Sequence, residues 1–78
     1  MKIEIFGPGC AKCNSLEKQV KDAVKELNID AEVVKVSDIN AMVSRGVMLT
    51  PALFIGGKKK SEGRAPNYEE IKKYLKEA

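Results

Sequence analysis

Cys10 and Cys13 hold the only thiols in the chain, in the stretch Phe6-Gly7-Pro8-Gly9-Cys10-Ala11-Lys12-Cys13. A Cys-x-x-Cys pair can cycle between dithiol and disulfide, hold a soft metal ion as a pair of thiolates, or staple a small fold. The staple is the weakest reading, because a bridge across so few residues closes almost no loop and removes little entropy from the unfolded chain. Two unrelated buried thiols would account for the composition but not for the spacing. With no histidine in the sequence, the usual zinc ligand sets cannot be completed within one chain, which removes the zinc-finger class.

The elements that must position this pair follow from periodicity. Met1 to Phe6 alternates Ile3 and Ile5 with Lys2 and Glu4, the pattern of a strand that Gly7-Pro8-Gly9 brings to an end. From Ala11 to Leu27 the apolar residues Leu16, Val20, Val24 and Leu27 recur at helical spacing, with Asn28 as the expected stop. The valine-rich run from Ala31 to Val36 predicts a second strand parallel to the first, completing a right-handed βαβ unit. Ser37 or Asp38 then caps a short helix through about Ser44, with Ile39, Met42 and Val43 as its inner face and Gly46 at its end. After Pro51, the runs from Ala52 to Ile55 and from Lys58 to Glu62 form a hairpin across Gly56-Gly57. Asn67 and Glu70 make a capping box for a last helix with Ile71, Tyr74 and Leu75 on one face. The expected order is β-α-β-α-β-β-α in one domain over residues 1–78, since a chain of 78 residues builds a single core.

This order puts Cys10 at the start of the first helix and Cys13 one turn further in. Unpaired N–H groups in a helix's first turn, and the positive end of its macrodipole, favour a thiolate, the species that attacks a disulfide. Lys12 adds positive charge between the two sulfurs. In the expected mechanism Cys10, at the exposed end, attacks a target disulfide; Cys13, less accessible, attacks the mixed disulfide and releases the reduced target. Gly7 and Gly9 are expected to keep the approach free of side chains, so that another polypeptide can come near the sulfur.

Val47-Met48-Leu49-Thr50-Pro51 follows about forty residues beyond the pair, and with it the chain resembles the thioredoxin-fold family, most of all its small glutaredoxin-sized redox-active disulfide proteins. The resemblance covers essentially the whole chain. It implies an α/β, thioredoxin-like fold with a four-stranded mixed sheet and helices on both faces. It implies a thiol–disulfide oxidoreductase that reduces protein disulfides, with no cofactor beyond the Cys10–Cys13 redox-active disulfide. Its partners would be a disulfide-bearing target protein and an upstream disulfide reductase. In that family the proline before the third strand is cis and packs beside the disulfide, so the resemblance assigns this place to Pro51. The backbone of Thr50 would then pair with the substrate chain, with Gly9, Thr50 and Pro51 as substrate-binding residues. Cis is the minority state of an X–Pro bond, so this expectation comes from the resemblance alone. The chain departs from thioredoxins in having Gly9 before Cys10 in place of tryptophan, and Ala11-Lys12 in place of Gly-Pro between the cysteines. It departs from glutaredoxins in having Gly63-Arg64 without the acidic residue of their Gly-Gly-Asp element, which speaks against glutathione specificity.

Glu4 lies six residues before Cys10, where thioredoxins place a buried aspartate that exchanges protons with the inner cysteine. Buried, it would have a raised pKa and could act as base for Cys13; the competing reading is the partly solvated phase of a strand. Lys58-Lys59-Lys60 reads as a solvated edge strand or as a docking patch. Met48 either fills the core or lines an apolar surface around the sulfurs. Tyr68 and Tyr74 read as packing residues of the last helix.

A net charge of +3, from 14 basic and 11 acidic residues, is too mixed along the chain to imply nucleic acid. No apolar run is long enough for export or a membrane span, so a cytoplasmic monomer without membrane contact is expected. Two other classes compete with the oxidoreductase. One is a soft-metal, Cu(I)-type thiolate carrier, because copper-chaperone domains of similar length also put Cys-x-x-Cys after the first strand. The other is a redox-inactive thioredoxin-fold adaptor. A terminal helix, Pro8-Gly9 in place of Met-x before the pair, and Thr50-Pro51 favour the oxidoreductase, and no residue is assigned to a metal.

Overall fold

The structure, a computed structural model, describes residues 1–9 and 11–77. The elements run β1 (Lys2–Phe6), α1 (Ala11–Glu26), β2 (Glu32–Val36), α2 (Ile39–Ser44), β3 (Ala52–Ile55), β4 (Lys58–Glu62) and α3 (Tyr68–Glu77). They build a four-stranded sheet in the order β2-β1-β3-β4. β1 pairs in parallel with β2 and antiparallel with β3, and β4 closes the antiparallel side.

Local chemistry sets the boundaries. Asn28 takes φ of 54°, the Asn28 and Ile29 amides donate to the carbonyls of Lys25 and Val24, and α1 ends in a Schellman motif. α2 closes the same way, with Gly46 at φ 75° and the Gly46 and Val47 amides on the carbonyls of Val43 and Met42. Asp38 is its N-cap, accepting from the Asn40 amide at 3.0 Å. Gly56 and Gly57 both have positive φ, as a two-residue hairpin loop matched to strand twist requires. The capping box forms as expected, with the Glu70 amide donating to Asn67 Oδ1 at 2.9 Å and the Asn67 amide to Glu70 Oε1 at 3.3 Å.

β1 is covered on both faces, which the alternation of its sequence did not reveal. Ile3 lies opposite Ile55 and Ile5 opposite Leu53, and this face packs Leu16, Val20 and Ala23 of α1 with Ile71 and Leu75 of α3. Each of the Ile, Leu and Val side chains contributes about 1.5–3 kcal/mol on full burial. On the other face Phe6 lies opposite Ala52 and Glu4 opposite Phe54, closed by Met42 of α2 and by Val47. Lys72 of α3 reaches Glu26 at the end of α1 at 2.9 Å, and Tyr68 donates to the same carboxylate at 3.0 Å, tying the two long helices together. The expected inner face of α2 needs correction: Met42 is buried, but Ile39 and Val43 are 72% and 70% exposed. A helix of six residues turns one narrow stripe to the sheet, and Met42 occupies it.

Candidate functional site

Cys13 belongs to the first turn of α1 and is fully buried. Its seat is Gly7, the residue after β1, whose amide donates to the Val36 carbonyl at 2.9 Å and so extends the parallel pairing by one step. A Cβ on Gly7 would lie 2.2 Å from Cys13 Sγ and 3.2 Å from its Cβ. Gly7 therefore makes room for the inner sulfur and does not keep an approach open, which corrects the expectation for this glycine. Gly9 is the open one: it is exposed, its φ is 88°, and a Cβ there would meet nothing within 4 Å. Cys10, the expected attacking cysteine, lies outside the described residues. Lys12 is exposed in the first helical turn, which contains no acidic residue, so nothing there offsets the positive end of the dipole. Asn14 Nδ2 donates to the Gly9 carbonyl at 3.3 Å, and Lys35 of β2 donates to Asn14 Oδ1. These two side chains tie the loop before α1 to the helix and to β2.

The second part of the site enters through the sheet. Because Phe6 lies opposite Ala52, the residues that follow β1 and precede β3, Gly7 and Pro51, emerge at the same end of neighbouring strands. The Thr50–Pro51 peptide is cis, Pro51 is buried and Thr50 is exposed. Met48 and Leu49 before them are 88% and 62% exposed, so Met48 is not a core filler. One carboxylate oxygen of Glu62 accepts from the amides of both Met48 and Leu49, at 2.5 and 3.1 Å. Lys59 donates to the other oxygen and to the Gly46 carbonyl, each at 3.0 Å. Lys59, exposed on the edge strand as expected from sequence, is thus also engaged in holding this loop.

The Met48 amide first, then Lys59 and the Leu49 amide, lower the Glu62 pKa from its ordinary 4.5 to about 2. A depressed carboxylate contributes stability that is complete above its unfolded value and is lost as pH falls through the folded one. Glu62→Gln should therefore flatten the acid limb of the stability curve between about pH 4.5 and 2, measured by denaturant titration at each pH. An unchanged acid limb would show that these bonds do not stabilise the fold.

Glu4 is buried, at 8% exposure, but neither unpaired nor solvated. Its carboxylate accepts from Arg45 Nη1 at 2.8 Å, supplying the counter-charge that a buried carboxylate needs. The Arg45 guanidinium also lies over the rings of Phe54 and Phe6, 4.7 and 5.5 Å from their centroids. Arg45, Glu62 and Asn14 are the residues that sequence reasoning missed. Arg45 meets Glu4 across 41 positions, Glu62 meets Met48 and Leu49 across 14 and 13, and Asn14 meets Lys35 across 21, so no local pattern marks them.

Among the described residues no group of three or more His, Cys, Asp or Glu side chains could hold a metal ion, and no helix is long and apolar enough to cross a membrane. A family model described as "Thioredoxin domain" matches residues 1–76. The chain is 47% identical over 75 residues to the thioredoxin of Methanothermobacter thermautotrophicus, covering 96% of this chain and 97% of that protein. It is 49% identical over 74 residues to the thioredoxin of Methanocaldococcus jannaschii, covering 95% and 85% respectively. Thioredoxin 1 of the thermophilic eubacterium Thermosipho africanus has a similar structure, with a TM-score of 0.63 at 25% identity over 97% of this chain and 96% of that one. The mixed sheet, the helices on both of its faces and these matches lead to one conclusion: the chain belongs to the thioredoxin family.

Proposed function

We propose that the chain is a dithiol–disulfide oxidoreductase that reduces disulfides of a target protein, with Cys10 attacking and Cys13 resolving. Family membership carries the general part of this reading, a redox role of the oxidoreductase type. The observation that supports the rest is the buried Cys13 sulfur on Gly7, at the sheet end where the cis Thr50–Pro51 peptide also emerges.

In the proposed cycle the Cys10 thiolate attacks one sulfur of the target disulfide, whose S–S bond breaks, and the departing target thiolate takes up a proton. The Cys13 thiolate then attacks the Cys10 sulfur, the mixed bond breaks, and the second target thiolate leaves. Two electrons have passed to the target, and the Cys10–Cys13 disulfide remains for an upstream disulfide reductase to reduce. The start of α1 and Lys12 favour the thiolate, each unit of pKa depression being worth about 1.4 kcal/mol. Exposed Gly9 leaves space for the target chain, and Thr50 offers it backbone groups beside Pro51, which has no donor. Glu4, the expected proton partner of Cys13, is held by Arg45 through one carboxylate oxygen.

The test is a redox titration of the purified protein in dithiol–disulfide buffers, with both thiols scored by capping and mass, after chelation and again with added metal. A reversible two-electron transition of the metal-free protein at about −270 to −200 mV is expected. Thiols protected by tightly held metal, with no accessible transition, would replace this reading with a soft-metal carrier.

A further inference from the structure

We infer that Glu62 is a positioning residue for the target protein: its carboxylate shapes the loop 47–50 into a preformed docking segment ahead of Pro51. This rests on the oxidoreductase reading above and adds to it a determinant of substrate affinity separate from the sulfurs.

The loop has no regular structure of its own, yet it presents Met48, Leu49 and Thr50 to solvent in succession. A free segment of this kind would lose conformational entropy on meeting a partner. Glu62 removes much of that cost beforehand. Two consecutive amides converge on one of its oxygens at 2.5 and 3.1 Å, as amides in a backbone nest converge on an anion. The carboxylate is itself anchored, since Glu62 is paired in the β-ladder with Ala52, the residue after Pro51. Lys59 joins the other oxygen to the Gly46 carbonyl, so both ends of the loop are held from β4. Gly63, next in line, donates its amide to the Pro51 carbonyl at 3.0 Å, and a Cβ there would press on Leu49 at 3.1–3.2 Å. With the Met48 and Leu49 amides spent inside the chain, backbone recognition of a partner falls to Thr50, and the exposed side chains of Met48 and Leu49 supply apolar contact.

The experiment compares the full chain with Glu62→Ala, Glu62→Gln and Lys59→Ala. Each is measured for steady-state reduction of insulin and of cystine, for reduction potential by thiol capping, and for thermal melting. Glu62→Ala should raise KM for insulin about tenfold, the size of one lost charge-assisted hydrogen bond. Its turnover of cystine and its reduction potential should stay at parental values. Glu62→Gln keeps a carbonyl oxygen for the two amides and should recover most of the loss. Lys59→Ala leaves both amide bonds and should be milder than Glu62→Ala. A folded Glu62→Ala with unchanged KM for insulin overturns the role, as does an equal loss on insulin and cystine or a shifted potential. If Glu62→Ala does not fold, Lys59→Ala decides: it frees the other Glu62 oxygen and the Gly46 carbonyl, so a KM for insulin raised a few fold at unchanged potential supports the role, and an unchanged KM overturns it. A parent chain with no two-electron transition sinks the oxidoreductase reading and this role together, whereas an active parent with an indifferent variant sinks this role alone.

Discussion

Cys13→Ser is expected to accumulate a stable mixed disulfide between Cys10 and its target, while Cys10→Ser loses turnover by about a thousandfold or more. The asymmetry follows from burial. Cys13 has no exposed surface, so its sulfur cannot meet a disulfide on another protein and can attack only a sulfur brought to it. Serine in its place leaves the first exchange intact and removes the group that would undo it. Non-reducing electrophoresis and intact mass of Cys13→Ser after incubation with a disulfide-bearing protein would show the adduct, and added dithiol would release it. A Cys13→Ser chain that turned over at the parental rate without an adduct would leave a monothiol route and sink the two-cysteine mechanism.

Gly7→Ala should cost about 3 kcal/mol, the upper part of the range for overpacking a tight site, and lower the melting temperature by about 10–20 °C. The added methyl would stand 2.2 Å from Cys13 Sγ, a separation that nonbonded atoms do not reach. Rotating the sulfur away gives incomplete relief, because the Cys13 Cβ would still lie at 3.2 Å and is fixed to the backbone of a 16-residue helix. Either α1 shifts or the sulfur leaves its seat, and both also slow the resolving step. Gly9→Ala is the control: with φ at 88° and open space around it, it should cost only about 1–2 kcal/mol in backbone strain. Adding Cys13→Ala to Gly7→Ala should recover much of the stability, and the coupling in that double-mutant cycle measures the contact. Equal losses for Gly7→Ala and Gly9→Ala, with no coupling to Cys13, would show that the inner sulfur does not rest on Gly7.

Together these variants separate two requirements of the proposed chemistry. The thiol pair must exchange in the right order, and the inner sulfur must sit still against the sheet while it does so. The loop 47–50 adds a third requirement, concerned with who binds and not with how electrons move. Each is carried by a different element, which is why each has a different readout.

The sequence by itself determined the element order and most boundaries, because the information lies within about four residues of each point. Asn67 and Glu70 cap each other, Gly56-Gly57 turns a hairpin, and Leu16 and Val20 fall on one side of α1. It also determined the pairing of two thiols at helical spacing ahead of a Thr-Pro, which is enough to suggest disulfide exchange. The tertiary structure alone decided what surrounds them. Gly7 looked like an opening and is a seat, because α1 folds back over the end of β1. Ile39 and Val43 looked like core and are exposed, because α2 is too short to bury more than one stripe. Glu4 met Arg45 and Glu62 met Met48 across 41 and 14 positions of chain. Such contacts are set by which strands become neighbours and which faces the helices cover. That choice belongs to the packing of the whole chain, and no local run of residues encodes it.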